Sequence, residues 1–294
     1  MRVTGLYTAM ITPFKEDGSV DYEGFERNIE FQIKNGVDGL LPLGTTGEAS
    51  SLTDKEKNEI IKLAAKTINR RVPLMIGTGT NNTQHTIENT KIAKELGADC
   101  ALIIPPYYSK PSQEGIFRHF EAITKAVDIP IMVYNIQGRT GVNIETSTLK
   151  RIVNELPNIV SVKEASGNIA QITDVINEIS NNNFSVLSGD DSLTLPLMAL
   201  GGEGVVSVVS NLIPKQISQM VNAIKNNDYK TARDIHFKYL PLFKVAFIES
   251  NPVPIKKAMS LKQMSSGGVR LPLYKLQNKS EEAIQAVLKN LNLI

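Results

Sequence analysis

Short apolar runs alternate along the chain with longer amphipathic ones. The short runs are apolar at consecutive positions, the pattern of strands buried on both faces of a parallel sheet. They fall at 6–12, 39–43, 73–77, 101–104, 131–135, 160–163, 184–188 and 205–209. Between them, apolar residues recur at three- and four-residue spacing. Ile60, Ile61, Leu63, Ala64 and Ile68 make one such stripe, and Ile169, Ile172, Val175, Ile176 and Ile179 another. Each predicts a helix with one buried face. Thr53 with Glu56 spells a capping box before the first of these helices. Pro73 and Pro130 stand at the start of two strand runs, where a missing N–H is tolerated.

Eight strand–helix units predict an α/β fold, a (β/α)8 TIM barrel over residues 1–225. An open, doubly wound sheet is the alternative. That fold favours a glycine-rich dinucleotide loop after its first strand, and residues 12–18 contain no G-x-G-x-x-G. Residues 226–294 read as a C-terminal helical extension with a Gly/Pro-rich loop at 265–272. This piece is too short to be counted on for a core of its own.

Composition narrows the classes of function. The 294 residues are 41% hydrophobic and 21% charged, which fits a folded globular chain. Lys and Arg number 32 against 30 for Asp and Glu, so the formal charge is +2. That balance argues against a dedicated nucleic-acid surface. A single cysteine, Cys100, forbids an intrachain disulfide and fits a reducing compartment. No apolar run is long enough for a membrane span, and the N-terminus lacks a signal-peptide pattern. The expectation is a cytoplasmic protein. His85, His119 and His236 are far apart, and no zinc-site spacing occurs.

In a barrel of this kind the carboxyl ends of the strands carry the chemistry. Lys163 closes an apolar strand run. A buried lysine is costly unless it is paired, for example with Glu164, or held neutral. In the neutral form it can attack a carbonyl and form a Schiff base. Tyr134 ends the neighbouring run. It is either a core residue or a phenol able to move the protons of imine formation. Thr45 and Thr46 lie in a Gly-flanked turn after the second run. They suit a proton relay, a carboxylate contact, or simple helix-start chemistry. Arg139, in Gly138-Arg139-Thr140-Gly141, suits a substrate carboxylate, although most loop arginines face solvent. Tyr107 and Tyr108 lie in a Pro-flanked loop that suits a lid or an interface. Asp190 and Asp191 could bind a metal, but helix capping is the simpler reading. Gly201-Gly202-Glu203-Gly204 precedes a strand rather than a helix, so it is a turn and not a phosphate cradle.

The set Gly44-Thr45-Thr46-Gly47-Glu48, Tyr134-Asn135, Gly138-Arg139-Thr140-Gly141 and Val162-Lys163-Glu164-Ala165 resembles the dihydrodipicolinate synthase / N-acetylneuraminate lyase family in order and spacing. Thr12-Pro13-Phe14, Leu187-Ser188-Gly189-Asp190 and Asn251-Pro252-Val253-Pro254-Ile255-Lys256 extend the likeness from end to end. The resemblance implies a barrel with C-terminal helices, in a homotetramer built from tight dimers. It implies Lys163 as the Schiff-base lysine for pyruvate and Tyr134 as acid and base. By the same resemblance Thr45, with Tyr108 from the neighbouring subunit, is expected to complete the proton relay. The resemblance further implies that Thr46 contacts the pyruvate carboxylate and that Gly189 and Val206 line the site. Arg139 marks members that condense pyruvate with L-aspartate 4-semialdehyde to 4-hydroxy-tetrahydrodipicolinate, in lysine and diaminopimelate biosynthesis. Relatives acting on sialic acid or 2-keto-3-deoxy sugar acids lack it. The implied enzyme is an aldolase-type carbon–oxygen lyase that needs no metal or organic cofactor.

Two departures from the family pattern stand out. Gln137 occupies a position that usually holds proline, so the Arg139 loop is expected to be looser or differently seated. At the interface pocket where lysine-inhibited members bind lysine, this chain has Asp54, Lys57 and His85, while Asn81 and Tyr107 are kept. A cationic ligand would meet Lys57 there, so inhibition by lysine is expected to be weak or absent.

Overall fold

The computed structural model describes residues 1–179 and 183–294. Among these residues, eight parallel strands form one sheet. They are β1 (Gly5–Ala9), β2 (Gly39–Leu41), β3 (Met75–Gly77), β4 (Cys100–Ile103), β5 (Ile131–Asn135), β6 (Ile159–Glu164), β7 (Ser185–Ser188) and β8 (Gly204–Ser207). Their order is β2-β1-β8-β7-β6-β5-β4-β3. A parallel bridge from Leu40 to Leu74 joins the two ends, so the sheet closes on itself. Helices follow the strands on the outside, and the fold is the expected (β/α)8 barrel.

Alternation along each strand divides the apolar residues into two cores. Inward residues such as Tyr7, Leu41, Met75, Leu102, Met132 and Leu187 fill the barrel. Outward residues such as Leu6, Leu40, Ile76, Ile103 and Val133 pack under the helices. Most of each helical stripe is buried, but Ile169, at the first position of its helix, is exposed, and Leu63 and Ile176 are only partly covered. Ile60, Ile61, Ala64 and Ile68 are buried in helix Asp54–Ile68, and Ile172, Val175 and Ile179 in helix Ile169–Ile179. The Thr53–Glu56 capping box forms in both directions.

The first and last strands are shorter than their apolar runs. Beyond Ala9 the chain leaves the ladder: Ile11 N donates to the Asn211 side chain, and Thr12 Oγ1 donates to Gly47 O. Val208 and Val209 instead turn over the carboxylate of Asp191. Pro73 and Leu74 precede β3 rather than belong to it. After helix Pro214–Lys225 come helices Tyr229–Val245, Val253–Leu261 and Asn278–Asn290, which pack on one another. The Asn251–Pro252 and Leu271–Pro272 peptides are cis. No helix among the described residues is long and apolar enough to cross a membrane.

Candidate active site

A cleft of about 630 Å³ opens at the carboxyl ends of the strands. Thr45, Tyr134, Arg139 and Asn251 stand in its walls. Lys163, only 5% exposed, packs against Tyr134 rather than in the wall itself. Register explains the pairing: Tyr134 on β5 lies directly beside Lys163 on β6. Both side chains therefore point into the barrel, and the lysine Nζ sits 4.1 Å from the centre of the tyrosine ring.

Glu164 is not the partner of Lys163. Alternation turns it to the other face, where its carboxylate accepts from Asn135 Nδ2 at 3.2 Å and Ser166 N at 2.8 Å. Burial lowers the Lys163 pKa to about 7; the charge of Asp191 opposes this, and that of Arg139 adds to it. A lysine of this kind is about half neutral at pH 7, where an ordinary one is almost wholly charged. Burial has the opposite effect on Tyr134, which is raised to about 12 although Arg139 and a hydrogen bond with Thr45 pull downward. The phenol therefore keeps its proton at neutral pH.

Gly189 provides the seat for the lysine. A β-carbon there would stand 2.6 Å from Ala165 Cβ and 3.0 Å from Lys163 Cγ and Cε. Val206 packs in the barrel interior with Tyr134 and Leu187. Thr46 is buried, and its Oγ1 accepts from Asn251 Nδ2 at 2.9 Å, which leaves its O–H free to donate. Arg139 Nη2 donates to Asn251 O at 3.4 Å. Asn251 thus links the Thr46 turn to Arg139, a role its sequence position does not disclose.

Residues Gln137–Thr140 form a helical turn rather than a loose loop. Gln137 occupies its first position, where an N–H has no intrahelical partner and proline and other residues fit alike. Thr140 Oγ1 bonds Ile136 O and Val142 O, and Asn135 Oδ1 accepts from Ile144 N, so both ends of the segment are tied down.

Tyr108 is not brought to Lys163 in this chain. It is 89% exposed with φ 71°, a strained conformation for a bulky residue, while Tyr107 lines the cleft. The two aspartates differ. Asp190 caps the turn after β7 by accepting from Ser192 N. Asp191, read from sequence as a similar cap, is buried. It accepts from Ser207 Oγ and from the N–H groups of Val208 and Val209, which fixes the exit of β8. Both carboxylates are therefore engaged by protein donors. Among the described residues no cluster of three or more His, Cys, Asp or Glu side chains is placed to hold a metal.

The site thus sets a partly neutral amine against a protonated phenol, and that phenol shares one cleft with the Thr45 hydroxyl and the Arg139 guanidinium. Comparison with known proteins agrees with this chemistry. The dihydrodipicolinate synthetase family model matches residues 2–291. A 4-hydroxy-tetrahydrodipicolinate synthase from Protochlamydia amoebophila is 52% identical over 99% of this chain and 97% of its own. The crystal structure of dihydrodipicolinate synthase from Aquifex aeolicus superposes with a TM-score of 0.96 at 44% identity, covering 99% of each chain. That of the Thermotoga maritima enzyme reaches 0.98 at 38% identity over the whole of both chains.

Proposed function

The chain belongs to the dihydrodipicolinate synthetase family, and from that membership and the site we infer that it condenses pyruvate with L-aspartate 4-semialdehyde to 4-hydroxy-tetrahydrodipicolinate. The observation that carries this reading is a buried lysine, lowered to about 7, lying against Tyr134, which lines the same cleft as Arg139. The reaction supplies lysine and diaminopimelate biosynthesis.

In the proposed mechanism, neutral Lys163 attacks the pyruvate ketone, and a proton passes to the developing alkoxide through Tyr134 and Thr45. Water leaves the carbinolamine and a protonated imine forms. The imine draws electrons from the methyl carbon, which gives up a proton and becomes an enamine. The enamine carbon attacks the aldehyde, and the aldehyde oxygen takes up a proton. The amine of the former semialdehyde then adds to the imine carbon and expels Lys163. One pyruvate and one semialdehyde give one product and one water. Thr46 is assigned to the pyruvate carboxylate and Arg139 to that of the semialdehyde, for which a planar, two-donor cation is the suited group. Gly189 gives the lysine room, and Val206 closes the barrel beneath it. No step asks for a metal or an organic cofactor.

We assign Tyr108 to the site of a neighbouring copy, in a homotetramer built from dimers; its exposure and strained backbone support a role outside its own cleft. The cytoplasm is the assigned location, supported by a lone buried cysteine. The acceptor is tested by steady-state turnover of pyruvate with L-aspartate 4-semialdehyde beside cleavage of sialic acid and 2-keto-3-deoxy sugar acids. Turnover of the semialdehyde alone is expected. Faster cleavage of a sugar acid would overturn the substrate assignment.

A further inference from the structure

Three segments that the mechanism leaves without a task meet behind the Thr45–Thr46 turn. They are Thr12-Pro13-Phe14, Glu48, and the stretch from Asn251 to Lys256. Lys256 comes from helix Val253–Leu261 and Glu48 from the end of the turn, and both side chains are buried. The Lys256 Nζ lies 2.6 Å from Glu48 Oε1 and donates to Thr12 O at 2.8 Å. It also sits 4.1 Å from the centre of the Phe14 ring. The second oxygen of Glu48 accepts from Arg270 N at 3.2 Å. The loop that carries Arg270 reaches this point through Gly267 (φ +63°), where a β-carbon would stand 1.8 Å from Phe14 O.

The turn held in this way is strained. Leu43 (φ 59°) and Glu48 (φ 53°) bracket it, both in the left-handed region and neither a glycine. Such conformations persist where the surroundings over-determine them, and they gather at functional sites. Thr12 Oγ1 binds Gly47 O while Thr12 O receives Lys256, so the lysine grips the turn at two points. A buried ion pair is often no more stabilising than an apolar pair of equal volume. Stability alone therefore does not account for a lysine and a glutamate here.

We propose that Lys256 and Glu48 are positioning residues for the reaction: their buried ion pair fixes the Thr45–Thr46 turn from the C-terminal helices and so sets where the pyruvate carboxylate lies relative to Lys163. The polar atoms of the pair are engaged by each other, by Thr12 O and by Arg270 N. The pair's effect reaches the substrate through Thr46, whose backbone lies two residues from Glu48. The C-terminal helices then belong to the working site. This inference rests on the Schiff-base reading given above.

The test is Glu48→Gln in the full-length protein, with Lys256→Met/Glu48→Gln as a second variant that leaves no buried charge unpaired. Circular dichroism and a melting curve establish folding. The KM for pyruvate is expected to rise about tenfold in both, as a small misplacement of a binding group requires, with the KM for the semialdehyde within about twofold. Borohydride trapping at sub-saturating pyruvate should slow in proportion. A merely structural role would lower kcat through loss of active protein and leave both KM values unchanged, and that result overturns the proposal. So do an unchanged pyruvate KM in folded variants and a failure of both variants to fold, which would make the pair a stability element. Wild-type protein that gives no adduct with pyruvate would instead bring down the Schiff-base reading itself.

Discussion

Gly189→Ala tests how tightly Lys163 is seated. The added carbon would stand 2.6 Å from Ala165 Cβ and 3.0 Å from two carbons of the lysine stem. Unstrained carbon atoms rest ~3.5–4.0 Å apart, so the stem must retreat by about 0.5–1 Å. Gly189 is not in the left-handed region, so the substitution adds no backbone strain. Its cost to stability is that of overpacking, ~1–3 kcal/mol. The effect on chemistry is larger, because a misplacement of about 1 Å lowers rate by a factor on the order of 10². The assay pairs kcat and the rate of borohydride trapping with the melting midpoint at one pH. A folded variant with kcat and trapping both down about a hundredfold is expected. A folded variant that keeps kcat within about fivefold of the parent would refute the steric argument.

Tyr134→Phe keeps the ring beside Lys163 but removes the phenol proton; kcat should fall by ~10²–10⁴, and a loss under about tenfold would remove Tyr134 from the proton path. Lys163 must be neutral to attack, so kcat/KM for pyruvate should climb with pH and level off above about 7. Arg139→Gln removes a positive charge that lowers Lys163, so that limb should move to higher pH. The KM for the semialdehyde should rise ~10–100-fold with it, as loss of a charged hydrogen bond implies. A limb that stays or moves down would contradict the electrostatic argument. Lysine should inhibit weakly or not at all. Lys57 lines the outer cleft and meets a cationic ligand with like charge, which its 3.1 Å ion pair with Asp54 offsets only in part. Half-inhibition at sub-millimolar lysine in a steady-state assay would refute this.

Much of the barrel is legible in the sequence because run length and spacing report burial directly. Strand ends are less so. The apolar run through Met10 and Ile11 continues past Ala9, but the hydrogen bond that ends the strand comes from the Asn211 side chain, two hundred positions away. Lys163 and Tyr134 are visible as polar residues closing apolar runs, whereas their contact depends on a β5–β6 register that spacing does not disclose. Asn251 and Lys256 are invisible to local reading, since their partners Thr46, Glu48 and Thr12 lie more than two hundred positions away. Only their place in a recurring segment marks them. Asp190 and Asp191 look alike in sequence, and one step along the chain turns the first outward as a cap and the second into the interior. At Gln137 the chain forms a helical turn without proline, because the first position of such a turn makes no demand that proline alone can meet.

An imine between Lys163 and pyruvate is read directly by mass. The protein is incubated with pyruvate and reduced with borohydride, and its intact mass and peptide map are then measured. A reduced pyruvyl imine adds about 72 Da, and the account predicts that this mass falls on the peptide containing Lys163. Folded protein that gains no mass, or gains it on another lysine, would contradict it.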